Sequence, residues 1–122
     1  MITTGSINRQ LNFDEEIDAN ILYLRDIKDA KKIKEKISKV NNIAIIGGGF
    51  IGLEIASSIN QQNKSVNIIE ISNQLMGRII PIEIANLVQV EHEKNGNKLF
   101  VNSKIKNIKK IDENYKITLD NN

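Results

Sequence analysis

Between Asn41 and Ile59 the sequence reads NNIAIIGGGFIGLEIASSI, two apolar runs parted by consecutive glycines. The first run is short and continuous, as a strand buried on both faces of a parallel sheet should look. Past the glycines, Leu53, Ala56 and Ile59 carry a helical period that NQQNK ends. SVNIIEIS, Ser65 to Ser72, is again strand-like and rich in β-branched residues. Strand, helix and strand in that order make a βαβ unit, with two parallel strands joined through a crossover helix.

Gly47, Gly49 and Gly52 fit G-x-G-x-x-G, and the fit has force because a strand precedes it and a helix follows. Gly47 permits the tight strand-to-helix turn. Gly49 lacks the Cβ that would hold a pyrophosphate away from the backbone, and Gly52 lets the helix pack close on the strand. Phosphates would lie on the free N–H groups at the positive end of that helix, which adds Gly48, Phe50 and Ile51 to the cofactor-binding set. Glu70 ends the second strand, roughly 20 residues beyond the glycines, where an acid accepts hydrogen bonds from the adenosine ribose hydroxyls. A carboxylate there repels a 2′-phosphate, and no arginine follows in ISNQLM, so NADH is expected over NADPH. The bland alternative is a glycine turn beside an ordinary surface glutamate. The fold expected is α/β, a Rossmann-like three-layer domain with a central parallel sheet.

The remaining chain is consistent with one domain. At 122 residues and 40% hydrophobic content it can bury one real core and not two. Ile27, Ala30, Ile33, Ile37 and Val40 recur at helical spacing, with lysines on the other face and Asp26 and Asp29 placed to cap the first turn. Pro81 suits the first turn of another helix through Ile84, Leu87 and Val88, ended near KNGN. KLFV is expected as a third parallel strand, and SKIKNIKKID with YKITLD as a C-terminal antiparallel hairpin or meander.

Seventeen basic against 15 acidic residues give a net charge of +2, too balanced to argue for nucleic acid, and the lysine-rich helix face reads as solvated. With no cysteine and one histidine, neither a disulfide framework nor a metal site is expected. No apolar run approaches the roughly 20 residues that span a bilayer, so a soluble, cytoplasmic protein without a membrane partner is the expectation.

IAIIGGGFIGLEIASSI followed by VNIIEIS closely resembles the NADH-binding domain of flavin-dependent pyridine nucleotide-disulfide oxidoreductases, whose motif is GGGxIGxExA. Glu54 and Ala56 occupy its Glu and Ala. TTGS, Thr3 to Ser6, is similar to the segment that leaves the flavin domain. LRDIKDAKKI resembles the helix before the glycines in the branch of NADH oxidases, coenzyme A-disulfide reductases, and nitrite or ferredoxin reductases. The resemblance implies that residues 1–24 lead in from a flavin domain and that residues 25–122 form the NAD(H)-binding domain, cut before its last strand. NADH would bind here, while FAD, a flavin domain and a dimerisation domain would belong to the parent enzyme. It also implies that Phe50 lies over the nicotinamide pocket, the alternative being that it simply covers the helix start, and that Glu54 lies near nicotinamide and flavin, the alternative being a solvated helix position.

No catalytic residue is assigned, and a fragment of this kind is not expected to complete a reaction alone. His92 reads as a solvated residue at a helix end, and Arg78 has no spacing argument that would place it in the site. Two other functions stay open at this stage. One is a stand-alone, non-catalytic NAD(H)-sensing module; the other has the glycines holding FAD itself. Exposure of the sheet edge beside Ile43 to Ile46 makes a homo-oligomer possible.

Overall fold

The computed structural model describes residues 4, 5, 7–11, 13, 17, 20–77 and 79–121. Thr3 and Ser6 of the TTGS segment and Arg78 lie outside them. Two compact units are present. One comprises Met1–Lys39 with Ile108–Lys116, the other Val40–Asn107 with Ile117–Asn122.

In the first unit, helix α1 spans Ile27–Ile37 and opens with a full capping box. The Asp26 carboxylate accepts the N–H groups of Lys28 (2.7 Å) and Asp29 (3.0 Å), and Asp29 Oδ2 accepts the Asp26 N–H in return (3.2 Å). Two side chains thereby satisfy the donors that helix geometry leaves free. Val40 falls outside the helix and is exposed, so the apolar period ends one turn earlier than its spacing suggests.

The second unit holds the βαβ unit. Strand β1 is Asn42–Ile46, α2 is Phe50–Asn60 and β2 is Ser65–Ile69. After α3, Ile82–Lys94, comes β3, Lys98–Phe100. The three strands form a parallel sheet in the order β1-β2-β3, with Ile43 opposite Val66, Ile46 opposite Ile69, and Ile69 opposite Phe100. β2 is the middle strand and carries the core: Val66 and Ile68 are fully buried, and Leu53, Ala56 and Ile59 of α2 are buried with them. Strands β4, Ile105–Ile111, and β5, Asn114–Leu119, pair as a separate two-stranded sheet. The two residues between them allow only an antiparallel hairpin, and Asp112 takes the positive φ (55°) that such a turn needs.

Two expectations are corrected. β1 is not buried on both faces: its residues are half-buried or exposed, because β1 pairs with β2 alone among the described residues and is an edge. The strand flanked on both sides is β2. Pro81 is not inside the first turn of α3 but at its N-cap, with an extended ψ of 152°. The chain therefore enters the helix one residue later, and Asn95 and Gly96, the latter at φ +87°, end it.

Candidate functional site

The glycines form the junction of β1 and α2. Gly47 extends the parallel ladder by donating its N–H to Ile69 O (2.8 Å), then turns at φ +106°, a conformation closed to most side chains. Gly49 is the N-cap of α2, extended at φ −82° and ψ −178°. A Cβ on Gly49 would meet nothing within 4 Å, so the space beside it is open. A Cβ on Gly52 would overlap the Gly47 carbonyl oxygen and stand 3.3 Å from Ile45 Cγ2, so helix and turn touch through their main chains.

The positive end of α2 is bare. Its N-cap has no side chain to accept a first-turn N–H, and its first turn carries no acid. The N–H groups of Gly49, Phe50 and Ile51 therefore have no helical acceptor and no capping side chain. Within one chain, α1 closes the same need with two carboxylates, whereas α2 leaves it for something else. An anion is what such a terminus stabilises.

Glu70 follows β2 directly and is half-buried. Its Oε2 accepts the Gly48 N–H and its Oε1 accepts the Ser72 N–H, each at 2.7 Å. The acid thus stands at the glycine turn, where its spacing predicts it. Each carboxylate oxygen still has a lone pair for a further donor.

Phe50 and Ile51 expose their side chains, at 52% and 60%. Phe50 and Glu54 line a shallow concavity that runs along α2 and α3 with Leu53, Ser57, Met76 and Val88. A polar concavity lies at the far end of α2, around Asn60, Gln61, Glu91, His92 and Asn97, away from the glycine turn. His92, expected as a solvated residue, is half-buried at its helix end. Its Nδ1 is 3.0 Å from Nδ2 of the buried Asn97, and burial holds its pKa below the usual 6.5, against an opposing pull from Glu91. Among the described residues no group of three or more acids and histidines could hold a metal.

Sequence reasoning missed the segment after Glu70. Leu75, almost fully buried, reaches the place a Gly48 Cβ would occupy, and Met76 donates its N–H to Gly48 O (3.0 Å). Met76 does so at φ +51°, the left-handed position falling on the methionine and not on Gly77 beside it.

The family model for pyridine nucleotide-disulphide oxidoreductases matches residues 1–122. The chain belongs to this family. It is 32% identical over 109 residues to a rubredoxin-NAD(+) reductase of Pseudomonas putida, covering 89% of this chain and 28% of the relative. Among solved structures it resembles a ferredoxin reductase from Rhodopseudomonas palustris, with a TM-score of 0.89 at 24% identity over 97% of this chain and 30% of that one. It also resembles a water-forming NADH oxidase from Lactobacillus brevis bound to NADH, with a TM-score of 0.76 at 18% identity over 80% of this chain and 22% of that one. The pyridine nucleotide-disulphide oxidoreductase domain described here thus spans less than a third of the length of these relatives. No helix among its described residues is long and apolar enough to cross a membrane.

Proposed function

We propose that these residues form the NADH-binding part of a flavin-dependent reductase and position the nicotinamide for hydride transfer to FAD. The observation that carries this reading is the uncapped positive end of α2 beside open space at Gly49, with the Glu70 carboxylate fixed at the same turn. The N–H groups of Gly49, Phe50 and Ile51 would hold the pyrophosphate, and Glu70 would accept the adenosine ribose hydroxyls. Gly47 and Gly52 shape the turn and let the helix approach, and Gly48 links it to Glu70.

Phe50 and Glu54, exposed at the start of α2, would face the nicotinamide and the flavin, excluding water and orienting the ring. NADH supplies the hydride and FAD accepts it; the chain's own contribution is placement and electrostatics. FAD would be held by another part of the parent enzyme, from which electrons pass to an acceptor. The relatives are named for rubredoxin and for ferredoxin, and a small redox protein of that kind is the acceptor class proposed here.

Titration of the chain with NADH, followed by nicotinamide fluorescence, tests the reading. Saturable enhancement, lost on competition with ADP, is expected. Absence of NADH binding by the folded chain, or a bound yellow flavin in its place, would overturn it.

A further inference from the structure

We propose that residues 70–76 act as a latch that presets the glycine turn before any nucleotide arrives, with Glu70 as its positioning residue; this rests on the NADH-binding reading above. Every side of Gly48 is engaged by that segment. Its N–H is donated to Glu70 Oε2 at 2.7 Å, its carbonyl accepts the Met76 N–H at 3.0 Å, and the space a side chain would fill is taken by Leu75, whose Cδ2 lies 2.6 Å from an ideal Cβ position. The other oxygen of Glu70 accepts the Ser72 N–H at 2.7 Å, which ties the segment back onto itself.

Both polar groups of Gly48 are therefore spent inside the fold. The donors left for a pyrophosphate are those of Gly49, Phe50, Ile51 and Gly52, and the direction of the first of them is set by how Gly48 is held. The chemistry required of residue 70 is correspondingly strict. Two N–H groups converge on it, so both of its terminal atoms must accept. A carboxylate does this, whereas a carboxamide has one acceptor and one donor and must set N–H against N–H on one side. The acid is required by the turn itself as well as by a ribose.

Two arms test the latch on the full 122-residue chain. In the first, amide hydrogen exchange is measured without nucleotide for the wild type and Glu70→Gln. The Gly48 or the Ser72 amide should exchange about tenfold faster in the variant, as loss of roughly one net hydrogen bond implies. Wild-type exchange at both amides would overturn the proposal. In the second, NADH and NADPH are titrated against Gly48→Ala, alone and with Leu75→Ala. Gly48→Ala keeps the charge of Glu70 but sets a methyl against both Leu75 and Glu70 Cβ, which stands 3.2 Å from it, so both affinities should fall by about tenfold and removing the Leu75 side chain should recover part of the loss. Unchanged affinity in Gly48→Ala would refute the latch. Should the wild type bind no NADH, the exchange arm still decides the latch, and only the functional reading fails.

Discussion

Replacing Gly52 with alanine and Gly49 with valine separates the two tasks of the glycine motif. In a free helix, Gly→Ala stabilises by about 0.5–1 kcal/mol. At Gly52 the added Cβ overlaps the Gly47 carbonyl oxygen and lies 3.3 Å from both Gly47 C and Ile45 Cγ2. The obstacle is main chain and cannot rotate away, so α2 must lift off the turn, loosening the buried row of Leu53, Ala56 and Ile59. Overpacking of this kind costs about 1–3 kcal/mol, and more where backbone must shift. After the propensity gain, a net loss of about 1–2 kcal/mol remains, or roughly 4–10 °C in Tm for a domain of this size. Gly49→Val enters open space at an extended φ and ψ that a β-branched residue adopts readily. Its cost at the N-cap, about 0.5 kcal/mol, is offset by the reduced entropy of the unfolded chain. The fold should melt within about 2 °C of wild type, while blocking two charge-assisted hydrogen bonds should weaken NADH more than about a hundredfold. Circular dichroism melts and NADH titrations on both variants provide the assay. A Gly52→Ala protein as stable as wild type, or a folded Gly49→Val protein that binds NADH normally, would refute the reasoning.

Wild type should bind NADH more tightly than NADPH, and Glu70→Ala should narrow the preference by about 1–3 kcal/mol while weakening both; equal wild-type affinities in a fluorescence titration would contradict this. Because burial lowers the His92 pKa, its neutral form favours the folded state. This contribution is complete above the unfolded value of 6.5 and is lost as pH falls through the folded value, so Tm should drop from pH 7 to pH 5, and less so in His92→Asn. An identical slope in the variant would exclude His92 as the cause. Because β1 pairs with β2 alone among the described residues, the chain should show concentration-dependent self-association in light scattering, reduced by Ala44→Lys; a wild type that stays monomeric at every concentration would disprove it.

The sequence made legible what depends on near neighbours. The glycine spacing, the parallel βαβ order and the Asp26–Asp29 cap are local, and each stands in the structure where its pattern predicts. Burial of β1 was misjudged because an apolar strand reads alike at the centre and at the edge of a sheet; only the pairing order tells them apart. The partial burial of His92 is not legible because its partner, Asn97, lies past the helix end and reaches back through the Gly96 turn. Leu75 and Met76 carried no signal at all. Their importance comes from a tertiary approach to Gly48, and a positive φ at methionine is not written in composition.

The separation of 22 residues between Gly48 and Glu70 has a consequence for a chain still being made. A ribosome that has delivered residues through Ile69 has released every glycine of the motif and both strands of the first pair, yet neither hydrogen bond that fastens Gly48 can form. Until Met76 follows, the Gly48 carbonyl lacks the donor that holds it in the folded chain. Closure of the turn thus waits on a stretch outside the recognisable motif, and that stretch is itself anchored by Phe100, Asn102 and Ser103, which emerge later still.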